Sequence, residues 1–216
     1  MTLPTLSNFP QELQISVASR ANQTVIIKVN DARIVGTNFR ASNGVAHLLS
    51  SVILPPPLVS EAANTTAMLS TFVEVIEVAG MQNVVNGDNV TVFAPVNDGF
   101  GAALKGFLLL PNSSVLLQGV LSYHVVPNGV YYTSRIPQNK TVLPSGNPGN
   151  PLTVERHGEN ITVNGATVFD SDVLAANGVV HLISALLLPP GFAFNLDEAL
   201  QGTRSLFLVP FTCLGV

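Results

Sequence analysis

The chain has 216 residues, 47% of them hydrophobic and only 10% charged, with a mean hydropathy of +0.42. Soluble domains are about a quarter charged, so this composition fits a membrane protein, a chain buried on most faces, or a surface hydrated by something other than Lys and Glu. Lys and Arg number 9 against 13 Asp and Glu, a net charge of −4; without a basic run there is no footprint for phosphate binding, and no nucleic-acid partner is expected.

In chain order, residues 1–10 lack the basic start and apolar stretch of a signal peptide, which puts any secretion signal upstream of Met1 or nowhere. Residues 27–56 read as strand, turn, strand: Asn43-Gly44 suits the positive φ angles of a tight hairpin, and the apolar run after it stops at Pro55-Pro56. Met68, Leu69, Phe72, Val75, Ile76 and Ala79 recur at helical spacing, with Gly80 placed to end that helix. Residues 90–94 are β-rich, and Asn97 or Asp98 stands where it would cap a helix over 99–104. Asn112 is placed to cap a second helix that buries Leu116, Leu117, Val120 and Leu121. The pattern then turns strand-like at 123–126, 130–133, 152–155, 160–163, 166–169 and 179–188. Helices first and strands second predict an α+β fold.

Residues 27–56 align without gaps on residues 161–190, with 14 of 30 positions identical. Such self-similarity marks a duplicated structural unit. The segment from Leu58 onward that precedes the second copy has no counterpart before the first. The expected organisation is therefore the C-terminal portion of a truncated first repeat at 1–57, a complete repeat at 58–190 and a tail at 191–216. Strands without covering helices or an opposite sheet invite edge pairing, so residues 1–57 are expected to dock on the second repeat, on the tail or on another chain, self-association included.

Three uncharged windows, 41–60, 106–134 and 173–195, approach the length of a membrane span, but prolines and Asn-Gly pairs interrupt each. No transmembrane span is expected. Cys213 is the single cysteine, which excludes an internal disulfide and a cysteine-based metal site. Six N-x-S/T sequons, at Asn22, Asn64, Asn89, Asn112, Asn139 and Asn160, fall at expected loops or strand ends and point to an N-glycosylated protein of the secretory pathway.

Thr91 to Phe100 (TVFAPVNDGF), Tyr123-His124 within LSYHVVPNGV, and Asn177 to Pro190 (NGVVHLISALLLPP) resemble, in order and spacing, the three signature stretches of the fasciclin (FAS1) domain. The resemblance covers 58–190 in full and 1–57 as the end of a preceding domain. It implies a wedge of two packed β-sheets beside a group of helices, in a family of secreted or cell-surface proteins that mediate adhesion and matrix or cell-wall contacts; in fungi, similar proteins also reside in the vacuole. The implied partners are a cell-surface receptor, a matrix protein or a wall polysaccharide, with Tyr123-His124 as the family's receptor-contact motif. The sequence departs from the family at Ser50 and Ser184, where an acid is usual, and at Gly99, where a small Ala-like residue is usual.

Read from the residues themselves, Tyr123-His124 is a folding element, one ring in the core and the other against a polar partner. His47 and His181 are repeat-equivalent and read as satisfied core histidines, because no second ligand stands at metal spacing. His157 reads as a solvated hairpin tip. No G-x-S-x-G, H-E-x-x-H, P-loop or G-x-G-x-x-G is present, and Glu155, Glu159, Asp170 and Asp172 are scattered in turns rather than paired. No catalysis, cofactor or metal is expected. Two functions remain: a non-enzymatic adhesion protein, and a carrier that holds a lipid or other small apolar ligand in a cleft of the domain. The apolar end of the tail, 205–216, contains Pro210 and makes a poor lipid-anchor signal.

Overall fold

A computed structural model describes residues 2–4, 12–19, 25–101 and 113–191. Five antiparallel strands come first and lie in chain order in one sheet: β1 (Thr2–Pro4), β2 (Glu12–Ser19), β3 (Val25–Val29), β4 (Ala32–Ala41) and β5 (Gly44–Leu49). Helices α1 (Val59–Asn64), α2 (Ser70–Ala79) and α3 (Gln82–Val85) follow, then β6 (Val90–Pro95), a helix α4 entering at residues 97–101, α5 (Ser113–Tyr123) and β7 (Val125–Val126). The strands β8 (Asn139–Leu143), β9 (Leu152–His157), β10 (Asn160–Val163), β11 (Ala166–Ala175) and β12 (Gly178–Ile183) complete a second sheet of order β7-β6-β12-β11-β10-β9-β8.

The apolar pattern explains the layers. α2 buries Phe72, Val75, Ile76 and Ala79, and stops at Gly80, whose φ of 65° lets the Gly80 and Met81 amides turn back to the Glu77 and Ile76 carbonyls. These side chains share one core with Val90, Val92 and Ala94 of β6 and with Val180 and Leu182 of β12. Successive strand residues face opposite ways; accordingly Phe93 and Ile183 enter a second core with Leu143, Leu152, Val154, Ile161 and Val163. All six residues of β6 and all six of β12 are buried. β11 carries register shifts between Val168 and Asp170 and between Asp170 and Val173. Bulges bend a strand; one face of β6 and β12 packs on the residues of β8–β10, so the two halves of the ladder form two packed sheets, and the other face carries the helices. The fold is α+β, as the pattern and the resemblance predict.

The first copy repeats the second strand for strand. β4 and β5 pair as Ile34↔Leu49, Gly36↔Leu48, Phe39↔Ala46, Arg40↔Val45 and Ala41↔Gly44; β11 and β12 pair as Val168↔Ile183, Asp170↔Leu182, Val173↔Val180, Leu174↔Val179 and Ala175↔Gly178. The bulges fall at equivalent places, and Asn38 (φ 62°) and Asp172 (φ 60°) hold the same left-handed backbone there. In each copy a serine hydroxyl replaces a ladder partner: Ser50 Oγ accepts the Arg33 amide and Ser184 Oγ the Thr167 amide, both at 3.0 Å.

Several local expectations give way to tertiary contacts. Neither Asn43-Gly44 nor Asn177-Gly178 takes a positive φ; the left-handed turns lie instead at Asn30 (51°), between β3 and β4, and at Asn164 and Gly165 (47° and 86°), between β10 and β11. Gly178 answers a different need, since a Cβ on it would stand 1.9 Å from the Val90 carbonyl oxygen of the parallel strand β6. The stretch 130–133 is not a strand: the Thr91 hydroxyl donates to the Gly129 carbonyl and accepts the Tyr131 amide, taking the place of ladder bonds. Tyr123 closes α5 rather than opening a strand. His47 is exposed, not a core histidine, and Val35, Phe39, Val45 and Leu48 around it are exposed too. Of the segment expected to dock, Pro57 meets the second repeat, its carbonyl accepting the Ala176 amide at 2.7 Å, while these side chains of β4 and β5 stay uncovered. Asn22, Asn112 and the tail beyond Gly191 lie outside them.

Candidate functional site

The three signature stretches meet in the interior. α5 is apolar along Leu117, Val120 and Leu121, and this face carries Tyr123-His124 into the corner before β7, where both side chains are buried. His124 Nδ1 lies 2.8 Å from the Val120 carbonyl, and the Leu187 amide donates to Nε2 at 2.9 Å. With one nitrogen donating and the other accepting, the ring is neutral. Burial pushes its pKa down from 6.5 to about 4, against the raising effect of the Val120 carbonyl. The backbone carbonyl of His124 in turn accepts the Phe93 amide of β6 at 2.9 Å. Tyr123 sits in the second core, where its hydroxyl accepts Asn164 Nδ2 at 2.6 Å and donates to the Pro151 carbonyl at 3.4 Å. A partner could touch neither ring without opening this corner.

A second polar cluster lies one strand away. The His181 ring stacks on Phe93 with centroids 5.4 Å apart; its Nδ1 accepts the Asp172 amide at 3.2 Å and its Nε2 donates to the Tyr131 carbonyl at 2.8 Å. Burial lowers its pKa, opposed by the Asp172 carboxylate and the Tyr131 carbonyl. That carboxylate, 3.9 Å from Nδ1, is held by the amide and hydroxyl of Thr133. Asp172 and Thr133 are what the sequence reading missed: Asp172 looks like a turn acid, and only the bulge of β11 aims it inward. Glu155, Glu159 and Asp170 do not join it, and among the described residues no group of three or more His, Cys, Asp or Glu is placed to hold a metal.

The asparagines act between elements. Asn97 does not cap its own helix; its Oδ1 accepts the Thr71 amide at the start of α2 at 3.0 Å, and its Nδ2 donates to the Ala67 carbonyl. Asn177 ties β12 to the helices, accepting the Val59 amide and donating to the Val85 and Gly87 carbonyls. Gly99 has the Ser184 carbonyl 2.8 Å from the position of a Cβ, so the bare backbone fits where even Ala would crowd. Of the sequon residues, Asn64, Asn89, Asn139 and Asn160 are exposed. A cleft beside α1 and α2 is lined by Ser60, Glu61, Asn64, Glu77 and Gln82, with Val73 and Ile76 behind them. Two carboxylates there would have to be desolvated by an apolar ligand.

A model of the fasciclin domain matches residues 67–189. The chain belongs to the fasciclin domain family. It is 36% identical over 148 residues to the protein sll1483 of Synechocystis, a match covering 62% of this chain and 80% of that protein. It is 30% identical over 166 residues to mouse stabilin-1, covering 71% of this chain but 6% of stabilin-1. Among solved structures it resembles a FAS1 domain pair from the insect cell adhesion molecule Fasciclin I, with a TM-score of 0.51, 18% identity, and coverage of 82% of this chain and 67% of that one. At that identity the likeness is one of fold. In this fasciclin domain the signature stretches are thus β6, the α5–β7 corner and β12, three elements that bury one another. No helix among the described residues is long and apolar enough to cross a membrane.

Proposed function

We propose that this protein is a non-enzymatic adhesion or matrix-interaction module, exported, N-glycosylated, and presented outside the cell or on its surface. The observation that carries this reading is the convergence of all three signature stretches on a buried interlock, which leaves recognition to the outer surface. Membership of the fasciclin domain family supports the same class of function. Tyr123 and His124 serve partner binding as positioning residues: they lock the α5–β7 corner, and the loops around it meet a receptor, a matrix protein or a wall polysaccharide. Glycans on Asn64, Asn89, Asn139 and Asn160, all exposed, supply hydration to a chain with 10% charged residues, and Asn22 and Asn112 are further acceptors. The carrier reading gains no support from a cleft with two carboxylates.

The test is adhesion of cells, matrix proteins and wall polysaccharides to the immobilised native protein, before and after enzymatic deglycosylation. Binding to at least one of these, with a mass loss on deglycosylation, is the expected result. Absence of binding to all three classes rejects the adhesion reading, and an unchanged mass rejects export through the glycosylating pathway.

A further inference from the structure

The five strands β1–β5 match β8–β12 in order, and β3–β5 match β10–β12 residue for residue. In the second copy the sheet continues past β12 into parallel β6 and then β7; in the first, β5 is the edge among the described strands. Three residues of the first copy keep the side-chain type that the second copy uses only to receive that continuation. Asn43 corresponds to Asn177, whose amide binds Val59, Val85 and Gly87. Gly44 corresponds to Gly178, where Val90 passes too close for a Cβ, yet nothing lies within 4 Å of a Cβ on Gly44. His47 corresponds to His181, which stacks on Phe93 and bonds Tyr131. Every one of these partners lies between residues 59 and 131. The apolar face agrees: Val45 and Leu48 are each 57% exposed, while their counterparts Val179 and Leu182 are 0% and 1%.

We propose that the edge of β5 is an acceptor for the N-terminal half of another fasciclin repeat, a set of helices with a parallel strand of the Val90–Pro95 type. Asn43 binds its helices, Gly44 admits its strand, and His47 stacks on its Phe93-like ring. A second copy of this chain is a poorer occupant, because its own β6 is engaged by β12 and its transfer would bare one edge for each one it covered.

The probe is a separately produced polypeptide of residues 58–129, added to the full 216-residue chain. Sedimentation should give a one-to-one complex, and hydrogen exchange should show new protection of the Val45, His47 and Leu49 amides, the alternate set that faces the open strand edge while the others pair with β4. Gly44→Val should weaken that complex about tenfold or more, because its side chain stands where the incoming backbone must pass, and should leave the stability of the second repeat unchanged. Three results overturn the proposal: no complex; protection confined to residues 178–183, which means the probe has only replaced its own counterpart; or a dimer of the chain alone with the Val45, His47 and Leu49 amides already protected. None of these bears on the adhesion assay, so the two readings fail separately.

Discussion

β4–β5 and β11–β12 share a pairing register, a bulge pattern and a left-handed residue at the same place, yet β5 is exposed along nearly its whole length while all six residues of β12 are buried. Asn43 and Asn177, Gly44 and Gly178, His47 and His181 are chemically identical and differ only in what lies against them. Local sequence is enough to make the hairpin. The roles of its side chains come from β6 and the helices, since a buried polar group must be hydrogen-bonded whereas an exposed one is satisfied by water.

Substitutions at equivalent positions test that contrast directly, and because the chain has no Trp, far-UV circular dichroism is the suitable readout of denaturant unfolding. The largest difference is expected at the glycines. Gly178→Ala drives a Cβ to 1.9 Å from the Val90 carbonyl and should cost more than about 4 kcal/mol, while Gly44→Ala should stay within about 0.5 kcal/mol. Equal effects at the two sites would break the comparison.

Acid comes next. His124 is neutral in the fold, with a pKa lowered from 6.5 to about 4. Below pH 6.5 the unfolded chain takes up a proton that the folded chain refuses until about pH 4, so stability is full above pH 6.5 and falls through that window. The loss from this one group is about 3 kcal/mol, and His181, lowered in the same direction, adds to it. His124→Gln should flatten the profile between pH 6.5 and 4. A profile insensitive to His124→Gln would remove the buried neutral imidazole from the account.

Asn177→Ala leaves the Val59 amide and the Val85 and Gly87 carbonyls without their partner, a cost of about 2–3 kcal/mol; Asn43→Ala should be silent in the chain alone. The smallest effect is Tyr123→Phe, which removes bonds to Asn164 and Pro151 and keeps the ring, for a loss of about 1 kcal/mol. Adhesion by Tyr123→Phe should remain near that of the parent, because the ring still fills the corner; a complete loss with stability retained would mean that the hydroxyl itself touches the partner.

Helical spacing from Leu69 to Ala79, the β-rich run at 90–94 and the apolar face of Leu117, Val120 and Leu121 were legible because period and burial coincide there. The duplication was legible because both copies satisfy the same hairpin. The candidate site was legible only as motifs. Nothing in the sequence of Asp172 distinguishes it from Asp170, and nothing in Asn97 says that it caps α2 rather than the helix it begins. Those partners are remote in the chain, and periodicity carries no information about them.

Composition, repeat and motif by themselves determined the family, the α+β class, the strand-turn-strand unit of each copy and the interruption of every uncharged window. Tertiary structure alone decided which of two matching glycines needs to be a glycine, which of two matching histidines is buried and neutral, and that Asp172 meets Thr133 and His181. The physical reason is the same in each case. Hairpin register follows from alternation and local turns, whereas burial, ionisation and steric necessity depend on a neighbouring strand that arrives from elsewhere in the chain, and in the second copy that strand is β6.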